Sequence, residues 1–245
     1  MPTYRLDISY DGTSFHGYAR QQDIRTVQGV LDAALARIMG PVETTVAGRT
    51  DAGVHARQQV VSFTVESSVE VDRLVRSLNG LLPVEVAVLA CREVEEGFSS
   101  RFSALSRSYR YQILNRPAPD PLRRLTTWHI PQILDLVAMQ RAAGAFVGEH
   151  DFASLCRKAK GRSTIREVLE VSWTRDDDIV EFRVTATSFC RRMVRSMVGL
   201  CVEVGRGRLD AGDMAGILAA RDREAAGGAA PPHGLVLWDV VYPDE

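Results

Sequence analysis

Twice along this chain, strand-type segments are interleaved with helix-type segments, and within the strands apolar residues recur at every second position. That alternation is the strongest constraint on the fold. A strand apolar on one side buries one face, which suits antiparallel pairing. Strands of a parallel doubly wound sheet are covered on both faces and read as continuous apolar runs. "TYRLDISYDG" sets Tyr4, Leu6, Ile8 and Tyr10 against Arg5, Asp7 and Ser9, then turns at Asp11-Gly12. "SYRYQIL" sets Tyr109, Tyr111 and Ile113 against Arg110 and Gln112.

Helical spacing appears at Val27, Val30, Leu31, Ala34, Leu35 and Ile38, with Thr26 as N-cap and Gly40-Pro41 as the stop. Further helices are predicted over 71–81, from Pro131 to about Phe146 and from Phe189 to about Val204. Strands are predicted at 43–47, 59–65, 166–174 and 179–186, in "PVEVAVLACREV" and in the closing "LVLWDVVYP". The expected class is α+β, with a division near the prolines of "NRPAPDPLRR" into an N-terminal half, 1–115, and a C-terminal half, 116–245. "AAGGAAPPHG" is predicted to be a flexible loop.

No apolar run approaches the roughly 20 residues of a membrane helix, and "MPTYRLDISY" has no basic region followed by an apolar stretch. Cys91, Cys156, Cys190 and Cys201 are far apart and form no CxxC, so they are expected to be separate buried thiols in a reducing compartment. The net charge is −1, yet the signs are segregated. Acids gather at Glu93–Glu96 and Asp176–Asp178, while arginines cluster in "SRSYRYQILNRPAPDPLRRL", "CRKAKGRSTIR" and "SFCRRMVRSMVG". Such segregation predicts a positive face suited to phosphates.

The stretch "AGRTDAGVHA" places Arg49, Asp51 and His55 among small residues. Residues two apart in extended chain project to one side, so Arg49 and Asp51 can converge on one site; the bland alternative is a surface turn with a paired Arg. Gly48 and Gly53 admit a ligand close to the backbone. His55 is either structural or part of that site. Tyr109 and Tyr111, interleaved with Arg107 and Arg110, suit stacked bases and their phosphates, or else a core face backed by a solvated one. Arg191 and Arg195 lie four apart on one helical side, where like charges repel unless they face an anion. Neither GxGxxG nor GxxxxGK[ST] is present. Two rival classes are a non-catalytic RNA-binding module and a metal-dependent hydrolase built on His150 and Asp151.

In their order, "YDGTSFHG", "RTVQGVLDAAL", "GRTDAGVHA", "NGLLP", "RFSALSRSYRY", "EHDFASL", "TIR", "SFCRRMVRSMVG" and "PPHGLVL" resemble the successive blocks of the tRNA pseudouridine synthases of the TruA family, from about Tyr4 to Tyr242. The resemblance implies isomerisation of uridine to pseudouridine at positions 38 to 40 of the tRNA anticodon stem-loop, without cofactor or metal. By that resemblance Asp51 is the nucleophile, Tyr109 stacks on the target uracil, Arg49 takes part in base flipping and Arg195 can pair with the aspartate. His55, Arg107, Arg110, Arg191 and Arg192 are further candidates for RNA contact. The resemblance also implies two related ferredoxin-like (RRM-like) halves around a continuous, mainly antiparallel sheet, and a cytoplasmic homodimer with no membrane association. The chain departs from the family pattern at Tyr18-Ala19, Ser100, Cys190 and Arg192.

Overall fold

A computed structural model describes residues 1–157, 161 and 163–243. The chain divides into two compact units, Met1–Leu105 with Val236–Glu245, and Ser106–Leu235. Among the described residues no helix is long and apolar enough to cross a membrane.

The first unit runs β1 (Thr3–Tyr10), α1 (Val27–Met39), β2 (Thr44–Val46), β3 (His55–Thr64), α2 (Val71–Leu81) and β4 (Val86–Val94). Its strands lie in the order β4-β1-β3, with β2 on the outer edge of β3, and all these pairs are antiparallel. This βαββαβ succession is the split-βαβ arrangement of ferredoxin-like folds. Tyr4, Leu6, Ile8 and Tyr10 are buried as the alternation predicts. The opposite side of β1 is covered as well: Arg5 is 2% exposed, bonded to Asp7 and lying beneath the Tyr242 ring. The guanidinium loses water and gains a carboxylate and an aromatic face.

Thr26 caps α1, its side chain accepting the Gly29 N–H at 3.2 Å, and Gly40 closes the helix at φ 83°. Thr26→Ala is expected to lower stability by about 1 kcal/mol. In urea unfolding it should shift the midpoint at unchanged slope.

The second unit runs β5 (Ser106–Leu114), β6 (Trp128–His129), α3 (Leu136–Gly144), β7 (Gly148–Asp151), β8 (Ile165–Asp176), β9 (Ile179–Ala186), α4 (Met193–Gly205) and α5 (Asp213–Ala220). Its strand order is β5-β9-β8-β7, antiparallel throughout, with β6 added parallel to β5. The run β5-α3-β8-β9-α4 repeats β1-α1-β2-β3-α2, so the two halves are related and the class is α+β. The chain ends with β10 (Leu235–Val241), which pairs parallel with β3 at His55 and Ala56, inside the first unit.

Several boundaries differ from expectation. α3 begins at Leu136 and not Pro131, because the Asp135 carboxylate accepts the Ala138 N–H and sets the cap there, while Ile130 and Leu134 are buried before it. α4 begins at Met193 and not Phe189, because Arg192 takes a left-handed conformation at φ 69°. That helix is buried nearly all round, from Met193 to Gly205, and is therefore a core helix. β7 and α5 carry no clear period of their own and were not predicted. The segment expected to be a flexible loop is instead packed: Ala226 and Ala230 are buried, and Tyr111 donates to the Pro231 carbonyl at 2.8 Å. Of the four cysteines expected to be far apart, Cys156 and Cys190 lie side by side, with Cα atoms 5.7 Å apart, while Cys91 and Cys201 stand away from them. Chain spacing could not show this, because 34 residues separate the pair.

Candidate active site

In the first unit, Asp51 opens a tight turn between β2 and β3. The Val54 N–H donates to the Asp51 carbonyl at 3.2 Å, and Gly53 sits at φ 76° with its N–H on the Phe15 carbonyl. Two glycines from the "YDGTSFHG" segment make room for the turn. A Cβ on Gly12 would collide with the Val54 carbonyl, and one on Gly17, at φ 97°, would stand 2.9 Å from the Thr50 carbonyl oxygen. Neither obstacle is a side chain that can swing away.

Buried polar groups hold the strand entering the turn. Thr50 Oγ1 lies 2.8 Å from the Tyr10 hydroxyl, Gln59 donates to the Gly48 carbonyl at 2.7 Å, and the Tyr18 N–H donates to the Thr50 carbonyl. Arg49 is thereby clamped on both sides along the backbone while its side chain is exposed. Burial pushes the Tyr10 phenol up to about 12, so it remains a neutral partner in this network.

His55 is buried, 6% exposed, and works on the same loop. Its Nδ1 is 3.0 Å from both the Gly12 N–H and Asp11 Oδ1, so only one of the two is a hydrogen bond at a time. Burial opposes ionisation of Asp11, but hydrogen bonds from Thr13 and the His55 ring outweigh it and hold the carboxyl below its usual range. His55 therefore ties the β1 turn to the Asp51 loop. From the sequence Tyr10 and Gly12 read only as strand and turn residues, and Gly17 and Gln59 carry no role of their own. Gln59 had one available signal, a polar residue abutting the apolar Val60-Val61 run.

In the second unit, Tyr109 lies on β5, opposite Val184 of β9, and is 8% exposed. The Phe189 ring stands edge-on against it, centroids 5.1 Å apart at 87°. Arg107, two residues earlier on the same face, is nearly buried and donates to the Thr187 carbonyl at 2.9 Å. Both contacts bind Tyr109's face to the segment 187–192. From α4, Arg195 Nε donates to the Ala230 carbonyl at 2.7 Å, and the Ala230 N–H returns a bond to the Arg195 carbonyl. Burial raises the Tyr111 phenol far above its usual range, with Arg195 opposing that shift. Arg191 and Arg192 precede α4 and are exposed.

The structure does not bring Arg110 to the Tyr109 face. Strand alternation turns it to the other side of the sheet, where it approaches Glu181 at 3.5 Å and lines a 440 Å³ cavity with Gln112, Arg123 and Arg183. Lys158, Lys160 and Arg162 of the predicted basic cluster lie outside the described residues. Asp151, half of the hydrolase alternative, accepts bonds from Thr164 and Ala153 and pairs with Arg221 at 3.1 Å. His150 Nε2 contacts the Val147 carbonyl.

The tRNA pseudouridine synthase family model matches residues 8–103 and 142–243. Proteins named tRNA pseudouridine synthase A match end to end. That of Leifsonia xyli subsp. xyli is 44% identical over 98% of this chain and 91% of the relative. The Bacillus pumilus protein is 41% identical over 97% of this chain and 98% of the relative. That of Moorella thermoacetica is 43% identical over 99% of this chain and all of the relative. Among solved structures, a Cbf5-Nop10-Gar1 complex aligns at TM-score 0.33 and 13% identity over 81% of this chain and 54% of that one, too remote a likeness to add to the assignment. Both segments of the family model and the full-length relatives agree: the chain belongs to the tRNA pseudouridine synthase family.

Proposed function

We propose that Asp51 is the nucleophile for isomerising a uridine of the tRNA anticodon stem-loop, among positions 38 to 40, and that the enzyme works as a cytoplasmic homodimer. One observation carries the reading of Asp51: its turn is stripped of bulk by Gly12 and Gly17 and locked by the buried Tyr10-Thr50-Gln59 network. A mere surface turn needs no such buried scaffold, whereas a carboxylate that must meet a ribose needs both access and a fixed position.

The chemistry follows from these groups. The target nucleotide leaves its stack at a cost of a few kcal/mol, with exposed Arg49 placed to engage it. The N1–C1′ bond breaks, the uracil turns, and a C5–C1′ bond forms. The proton on C5 is lost and N1 gains one, so the reaction is a redox-neutral isomerisation. Asp51 assists either by attack on C1′ or by promoting departure of the uracil to a glycal-like intermediate. Tyr109 supplies the ring on which the uracil stacks, and its hydroxyl is a base for the C5 proton. Arg195, Arg191, Arg192 and Arg107 serve the anionic surroundings of the nucleotide.

Tritium release from tRNA labelled at uridine C5 tests the reading, with transcripts carrying uridine at only one of the three positions. Tyr109→Phe keeps the ring and removes the hydroxyl. It is expected to slow release by about 10²-fold, the usual contribution of a positioned base. Normal release by this variant would transfer the role of base to another group.

A further inference from the structure

Six residues beyond Asp51, the strand leading away from the candidate loop carries an arginine that the chemistry above does not use. We propose that Arg57, mounted on the Trp238 ring, is a phosphate-binding site for the tRNA backbone next to the target uridine. The proposal rests on the reading of the Asp51 turn as the place where that uridine docks.

Three observations carry it. First, Arg57 and Trp238 meet across β3 and β10. These strands pair in parallel at His55 with Val236 and at Ala56 with Leu237, so Arg57 and Trp238 come next in register. The guanidinium carbon lies over the indole, 4.4 Å from the ring centroid. Second, β3 is bulged at this point. One residue stands between Ile8 and Tyr10 of β1, whereas two, Arg57 and Gln58, stand between their partners Gln59 and Ala56. The Ser9 hydroxyl donates to the Ala56 carbonyl at 3.1 Å where the ladder is interrupted. A bulge of this kind bends its strand and re-aims a side chain. Arg57 is accordingly exposed, although His55, Ala56 and Gln59 around it are buried. Third, the Arg57 guanidinium makes no hydrogen bond or ion pair with any described residue.

The chemistry selects the ligand. The indole covers one face of the guanidinium, holds its plane and leaves its in-plane N–H groups for a partner. That fork matches a phosphate, whose oxygens accept two parallel bonds. Holding the plane in advance also lowers the ordering cost of binding. Position selects which phosphate. The two steps from His55 to Arg57 add at most about 7 Å of strand after the turn, so an RNA whose ribose meets Asp51 brings a neighbouring backbone phosphate within reach of Arg57. Such a contact is made alike in ground and transition states, and therefore acts on KM more than on kcat.

Binding and C5 tritium release are measured for the full-length enzyme with tRNA that is unaltered or carries one uncharged methylphosphonate, placed in turn at each phosphate flanking the target uridine. Arg57→Ala is expected to weaken tRNA binding about tenfold and to raise KM by a similar factor, with a smaller fall in kcat. The slope of log affinity against log salt should drop by about 0.7–0.9, the share of one phosphate contact. For the unsubstituted enzyme one methylphosphonate should likewise cost about tenfold in affinity, and for Arg57→Ala the same one should cost less than about twofold. Arg57→Lys should restore the slope but only part of the affinity, since an ammonium keeps the charge and loses the stack and the fork. An unchanged salt slope in Arg57→Ala would overturn the proposal, as would methylphosphonate penalties that stay the same at every position in that variant. Failure of the Asp51 reading shows separately, as turnover retained by Asp51→Ala.

Discussion

Asp51→Ala is expected to abolish tritium release from C5-labelled tRNA, with kcat lowered by at least about 10⁴-fold, the scale on which loss of a covalent nucleophile is felt. Binding of the same tRNA should stay within a few-fold, since affinity resides in phosphate contacts spread over many side chains. The fold should also tolerate the change. Asp51 contributes its backbone carbonyl to the turn through the Val54 N–H, and alanine keeps that carbonyl. Single-turnover assays at saturating enzyme separate the two effects. A variant that binds tRNA and retains appreciable turnover would remove Asp51 from the chemistry and return the loop to a structural role.

Gly12→Ala should have the second-largest effect, although Gly12 meets no substrate in the proposed chemistry. Its new methyl would be driven into backbone, with the Val54 carbonyl carbon 2.5 Å away. Backbone cannot rotate aside as a side chain does, so the turn from Asp51 to Val54 must shift. Such overpacking costs about 1–3 kcal/mol. The shift would be passed to Asp51 across a turn of only four residues, and it would disturb the Gly12 N–H contact with His55. A displacement near 1 Å is enough to lower kcat by about 10². Thermal unfolding and turnover should therefore both respond. Unchanged turnover in Gly12→Ala would show that the turn has slack.

Much of the fold was legible because its signals are local. The alternation at Tyr4, Leu6, Ile8 and Tyr10 and the Thr26 cap with Gly40 lie within one element or its ends, and they hold in the structure. The α2 bounds, 71–81, were also legible. Local signals failed where a distant partner decides. Arg5 reads as solvent-facing, but Tyr242, near the other end of the chain, covers it. α4 reads as a helix from Phe189, but Arg192 takes a left-handed conformation where Cys190 meets Cys156.

The candidate site divides in the same way. Small residues around Asp51, and the tyrosine–arginine alternation of β5, mark the candidate loop and the strand from sequence alone. The same alternation already put Arg110 opposite Tyr109, although both had been candidates for RNA contact. Most of the support of the loop was invisible, since Tyr10, Gly12 and Gly17 lie far from Asp51 in sequence.

The sequence by itself determined the element types, the α+β class and the presence of a carboxylate on a loop free of bulk, because periodicity, caps and small residues act over a few neighbouring positions. Only the tertiary structure decided which polar groups are buried, that Cys156 meets Cys190, and that Gly12 and Gln59 fix the Asp51 turn. Each of these depends on burial and backbone contact between separate segments, most of them tens of residues apart, which no local pattern encodes.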